Sequence, residues 1–178
     1  MDLILPMRIK RIDPFGYAHG DINFQGVRHP GYDLNDGPNP WSDLGETLVA
    51  PGHARIVYAG AAPGWGTLIV GLLAEKIPDE HGKLVFAGFR LGHPQKILTK
   101  VGDRVKPGQK IGTCGNGGIV SMMPHCHYDL FKRGVLENYY DGRQMRWDYW
   151  DVVGVRNLFD QLYLDPKRYH AEIREVLP

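Results

Sequence analysis

With 178 residues, 43% of them hydrophobic and 23% charged, the chain is sized for one domain that buries its own core, and it is too apolar to stay disordered. The formal net charge of +1 and the lack of any long Lys/Arg run remove the electrostatic case for nucleic acid or an anionic membrane surface. No apolar run is long enough to span a bilayer, and residues 1–6 do not read as a signal peptide, because the basic residues follow a short apolar run.

In chain order, residues 3–12 and 22–27 read as strands around the turn Pro14-Phe15-Gly16. His29-Pro30-Gly31-Tyr32-Asp33 then sets a histidine and an aspartate four apart. On spacing alone, a turn with a solvated histidine and an Asx-type bond explains that pair better than a site does. Residues 34–45 are dense in Asn, Asp, Gly and Pro and read as loop, with Asp36 and Asp43 as solvated carboxylates. Short β-like runs follow at 54–58, 67–73 and 84–89, and residues 101–112 alternate apolar and polar around the turn Pro107-Gly108.

Next comes an apolar, strand-like run, residues 124–131, carrying His125-Cys126-His127. Side chains alternate along a strand, so His125 and His127 share a face and Cys126 points the other way. Cys114 and Cys126 are too few for a disulfide framework; Cys126 reads as a buried thiol, with a bridge to Cys114 left open. Residues 135–163 are rich in Tyr and Trp, and 157–164 read as a short helix. Trp41, Tyr139, Tyr140, Trp147, Tyr149 and Trp150 either line a substrate groove or pack a satellite core. Asp165-Pro166 starts a final helix over about 166–176, docked by Tyr169, Ile173 and Val176. His19, His53, His81 and His170 have no partner at ligand spacing and read as solvated or locally bonded.

Catalytic zinc sites use three protein ligands and leave a position for water. His29 and Asp33 with one histidine of the 125/127 pair would supply two imidazoles and a carboxylate. Spacing does not say which histidine of the pair holds the metal. No H-E-x-x-H helix motif occurs, which disfavours a glutamate-base metalloprotease.

Several segments together resemble the lysostaphin/LytM-type zinc metallopeptidases, which have a duplicated hybrid motif fold. His29-Pro30-Gly31-Tyr32-Asp33 resembles the H-x-G-x-D signature, Leu91-Gly92-His93 the middle histidine, 101–112 the V-G-D-x-V-x-x-G-Q-x-I-G hairpin, and Pro124-His125-Cys126-His127-Tyr128 the P-H-x-H-[FY] strand. The resemblance implies a mainly β fold, with antiparallel β-sheets forming a groove around a zinc site and a short C-terminal helix. It implies one catalytic domain over residues 1–178, with a core at about 15–131 and an aromatic-rich insertion at about 135–163. Carried over by residue, His29, Asp33 and His127 become ligands of Zn²⁺, and His93 and His125 the two catalytic histidines.

The implied activity is hydrolysis of peptide cross-links of bacterial peptidoglycan, at an extracytoplasmic, cell-wall or phage-associated location. Leu91 stands where the family often has a tyrosine. Two other readings compete: a metal-free, regulatory peptidoglycan-binding module on the same fold, and a carrier or phosphotransfer domain, to which residues 101–112 also bear some resemblance.

Overall fold

Alternating apolar positions in the middle of the chain build one large antiparallel sheet. Its strands are β1 (Tyr32–Leu34), β3 (Ala54–Ala62), β4 (Gly66–Leu73), β7 (Ala87–Gly92), β9 (Arg104–Val105), β11 (Cys126–Lys132) and β12 (Tyr163–Leu164). The order is β1-β11-β7-β4-β3-β9, and β12 pairs β11 beyond the reach of β1. A second sheet joins β2 (Thr47–Val49), β10 (Lys110–Thr113) and β8 (Lys96–Ile97), and β5 (Ile77–Pro78) pairs β6 (Leu84–Val85). This is a computed structural model, and it describes residues 3–10, 17–22, 28–39, 41–132, 159 and 162–176.

The large sheet buries both faces. On one, Ile69, Phe89, Leu91, Cys126, Tyr128 and Leu130 pack with Leu48 and Ile111 of the second sheet. On the other, Leu68, Val70, Leu72 and Phe131 pack with Trp65, Phe159, Leu162 and Tyr163. Each large apolar side chain so buried contributes about 1.5–3 kcal/mol relative to exposure. The two-residue period divides β11 cleanly: Cys126, Tyr128 and Leu130 go to the first core, and His127, Asp129 and Phe131 to the opposite face.

The expected fold class holds: antiparallel sheets dominate, with a short C-terminal helix at Ala171–Val176. Several local expectations are corrected. Residues 3–10 form no strand; they are tied to the sheets by single bonds, such as Ile4 N–H to the Pro51 carbonyl and Val49 N–H to the Pro6 carbonyl. Ile22 and Arg28 form one isolated bridge, while 11–16 and 23–27 lie outside the described residues.

The segment 101–112 is no hairpin. β9 pairs β3 and β10 pairs β2 and β8, so the Pro107-Gly108 turn hands the chain from one sheet to the other. Gly108 sits there at φ 76°, a backbone region that glycine enters without strain. Of the expected helix over 157–164, Tyr163–Leu164 is strand paired with β11, and residues 157, 158, 160 and 161 lie outside the described residues. The final helix is split: Asp165 caps a 3₁₀ turn, Pro166–Arg168, by accepting from Lys167 N–H, and the α-helical part starts at Ala171. Most of the 135–163 insertion, with Tyr139, Tyr140, Trp147, Tyr149 and Trp150, lies outside the described residues, and Trp41 is exposed. Cys114 and Cys126 are both buried free thiols, so the bridge left open does not form.

Asp43, expected as a solvated carboxylate, and His170, expected as solvated or locally bonded, are instead structural. Asp43 is fully buried, and its Oδ1 accepts from the N–H groups of Asp36 and Gly37, closing the loop. His170 is 1% exposed and its bond is far from local: its Nε2 is hydrogen-bonded, at 3.0 Å, with the hydroxyl of Tyr128 in the intersheet core. Burial pulls His170 down from 6.5 to about 4. The native ring therefore stays neutral where the unfolded one takes a proton. Stability attributable to His170 should fall as pH drops from 6.5 towards 4, by up to about 3 kcal/mol, and level off below. Denaturant unfolding of His170→Gln, which keeps an acceptor, should show a shallower slope in that window; an identical slope would contradict the assignment.

Candidate metal centre

The sheet brings the ends of three strands together. β1 lies beside β11 in a register that places Asp33 opposite His127, and β7 lies on the other side with Gly92 opposite His127. His29 precedes β1, His93 follows β7, and His125 precedes β11, bridged to Gly115. All five are buried, with 2–9% of their surface exposed.

One ligand atom from each of His29, Asp33 and His127 falls within a 4.8 Å span. His29 Nε2 lies 3.1 Å from Asp33 Oδ1 and 2.8 Å from His127 Nδ1, and His127 Nδ1 lies 3.2 Å from Asp33 Oδ1. The outer nitrogens decide what the inner ones are. His29 Nδ1 is 2.9 Å from the Gly31 carbonyl, which can only accept, so Nδ1 carries the proton. His127 Nε2 is 2.9 Å from Asp129 Oδ2, again an acceptor. Both inner nitrogens are therefore left with lone pairs, beside a carboxylate oxygen.

Three acceptors facing one another call for a cation. Burial opposes ionisation of Asp33, but His29, His125 and His127 outweigh it and hold its carboxyl well below the usual range. Burial likewise opposes a charge on His127, yet Asp129 and Asp33 together raise its pKa. The field that favours a proton at that nitrogen equally favours a divalent ion in its place. Two imidazoles and a carboxylate suit zinc-type coordination with a position left open, so the residues present fit such an ion.

His93 and His125 stand beside this set with ring centroids 4.8 Å apart. His125 Nδ1 is 2.8 Å from the Met123 carbonyl, and its Nε2 is 3.5 Å from Asp33 Oδ1. His93 Nδ1 is 2.8 Å from the Trp65 carbonyl. Burial, with His125 and His127 nearby, drives His93 down to about 3, so it is neutral at neutral pH. Its φ of 65° places a non-glycine residue in the left-handed region, at a cost of about 1 kcal/mol or more. Three bonds hold it there: its own N–H to the Thr67 carbonyl, Gly117 N–H to its carbonyl, and Nδ1 to Trp65.

The structure thus gathers all five residues singled out in the sequence, and adds Tyr17, Trp65, Asp129 and Arg90, which were missed. Tyr17 donates its N–H to Asp33 Oδ2 at 3.0 Å and lays its ring against His29. Trp65 packs on His127 and His93 with ring centroids 4.8 and 5.8 Å apart. A Cβ at Gly92 would sit 2.7 Å from the Trp65 ring and 3.0 Å from the His127 Cβ, so the middle-histidine motif needs glycine there. Asp129 and Arg90 form a fully buried ion pair behind His127. Asp129 was legible, being two residues along the strand from His127, whereas nothing in the sequence pointed to Trp65 or Tyr17. Leu91, at the expected tyrosine position, is fully buried in the intersheet core.

The arrangement is a site suited to a metal ion at the end of an antiparallel sheet. Residues 29–139, more than half of the chain, match Peptidase family M23, and the chain belongs to that family. It is 46% identical over 91 residues to the peptidoglycan DD-endopeptidase ShyA of Vibrio cholerae, a stretch covering 51% of this chain and 19% of ShyA. It is 48% identical over 46 residues to the peptidoglycan DD-endopeptidase ShyC of the same organism, covering 26% of this chain and 10% of ShyC. The chain therefore spans a fifth or less of the length of these two curated relatives. Among solved structures, Csd3 of Helicobacter pylori matches with a TM-score of 0.51 and 25% identity, covering 73% of this chain and 30% of that one. Lysostaphin of Staphylococcus simulans matches in fold with a TM-score of 0.54 and 23% identity, covering 86% of this chain and 47% of that one.

Proposed function

We propose that the chain is a zinc-dependent endopeptidase that hydrolyses peptide cross-links of bacterial peptidoglycan, with His29, Asp33 and His127 holding the metal. The observation that carries this is the convergence of two imidazole lone pairs and a carboxylate oxygen within a 4.8 Å span. A metal-free module would leave those acceptors facing one another. Membership of Peptidase family M23, and the printed names of ShyA and ShyC, support the substrate class. Peptidoglycan lies outside the cytoplasmic membrane, so the reading places the activity there. Among the described residues, no helix is long and apolar enough to cross a membrane.

A zinc ion bound there would polarise the scissile carbonyl and make an adjacent water acidic near neutral pH. The chain's own histidines then manage protons and charge. With Nδ1 given to the Trp65 carbonyl, His93 keeps the Nε2 lone pair to accept a proton from the attacking water. His125, whose Nε2 lies 3.5 Å from Asp33 Oδ1, stands beside it as the group to donate a hydrogen bond to a developing oxyanion. Burial of the site keeps competing water away from these bonds.

The test is digestion of purified peptidoglycan of several wall types by the zinc-loaded chain, read by fragment mass. Release of cross-link peptides, each cleavage adding one water, is expected. Intact cross-links in every wall type would overturn the reading.

A further inference from the structure

His127 differs from its neighbours in how its ring is held. His29, His93 and His125 each give Nδ1 to a nearby backbone carbonyl, at 2.8–2.9 Å. His127 turns Nδ1 inward and gives Nε2 to a side chain, Asp129, at 2.9 Å. Its tautomer therefore depends on a group that mutation can change. Asp129 is fixed in turn by Arg90, its register partner across β7 and β11, whose Nε lies 3.0 and 2.9 Å from the two carboxylate oxygens. Both residues are fully buried. The guanidinium also lies over the rings of Trp65 and Tyr163, 5.2 Å from each centroid.

A buried ion pair is no cheap way to stabilise a sheet; apolar residues of similar volume often do as well or better. The pair does supply what an apolar core lacks, an ionised acceptor aimed at Nε2. We infer that Arg90 and Asp129 are positioning residues: the arginine fixes the orientation of the Asp129 carboxylate, and Asp129 accepts from His127 Nε2–H, so that Nδ1 faces inward for the metal. This rests on the metal-centre reading above. Carboxylates behind ligating histidines raise ligand basicity and fix ring orientation.

Asp129→Asn keeps the shape and removes the charge. Its amide can accept weakly, or turn over and donate to Nε2, which would force the proton inward onto Nδ1. Because Asp129→Asn also strands the Arg90 charge and can unfold the chain, the companion variant is Arg90→Met/Asp129→Asn, which removes both charges. Zinc affinity, measured by competition with a chromophoric chelator, should fall about ten- to a hundredfold in the double variant while its far-ultraviolet circular dichroism matches wild type. The absorption spectrum of the cobalt-loaded protein should shift as well.

An unchanged zinc affinity in a folded double variant would overturn the inference alone. A wild-type chain that binds no zinc would overturn the metal-centre reading and this inference with it. One measurement needs no variant: the imidazole ¹⁵N spectrum of the zinc-loaded wild type should show His127 protonated at Nε2 and slow to exchange. A proton on Nδ1 would refute the assignment even if the double variant failed to fold.

Discussion

His29→Ala is expected to abolish stoichiometric zinc binding and to lower the rate of cross-link hydrolysis by at least about a thousandfold. Metal ions contribute several kcal/mol of charge stabilisation in the transition state, and each 1.4 kcal/mol is worth tenfold in rate. The size of the effect follows from how the site is built. With His29 gone, Asp33 and His127 still face each other at 3.2 Å, but two donors satisfy the vacated charge better with a proton than with an ion. The variant should fold, because His29 sits outside β1 and, among the described residues, its ring is hydrogen-bonded or paired only to its own turn, through the Gly31 carbonyl, and to the site. Metal analysis of the purified variant, beside its hydrolysis rate, checks both halves of the expectation. A zinc-loaded, active His29→Ala would show that the ion sits elsewhere.

The second large effect separates chemistry from metal binding. Removing the imidazole at position 93 or 125 should leave zinc in place and lower kcat by about 10²–10⁴-fold, the usual range for a positioned acid or base. At position 93 the choice of variant matters. The backbone there is left-handed, with φ 65°, which asparagine tolerates far better than alanine does. His93→Asn therefore tests the base without adding backbone strain, and His125→Ala serves at the other position. Loss of zinc in His93→Asn would mean that the residue is needed to build the site and not only to run the reaction.

Some of this was legible before any coordinates. The alternation around His125 and His127 predicted a shared face, and both rings do reach Asp33, at 3.5 and 3.2 Å. The division of labour proposed for them was not legible from spacing; it needed either the resemblance or the tautomers, and the tautomers depend on Met123 and Asp129 as acceptors. The joining of His29 and Asp33 to that strand is a long-range pairing of β1 with β11, which no local pattern encodes.

Local signals misled where the partner decides the structure. Residues 101–112 have the alternation and turn of a hairpin, yet their two strands find partners in different sheets. The apolar run at 3–10 looks like strand but pairs only at single points. Polar residues usually lie at the surface or bond locally, which is what the sequence suggests for Asp43 and His170; each is instead buried on a partner or a turn that only the folded chain supplies. Arg90 carried a faint signal, a charge inside the apolar run at 84–91, whose meaning appears only once β7 lies against β11.

The central claim is that one zinc ion sits between His29, Asp33 and His127. Zinc K-edge X-ray absorption of the purified chain tests it most directly. One zinc per chain is expected, with only nitrogen and oxygen neighbours, at about 2.0–2.2 Å, including imidazole scattering that diminishes in His127→Ala. A sulfur shell near about 2.3 Å, the distance for a cysteine ligand, or a spectrum unchanged in His127→Ala, would contradict it.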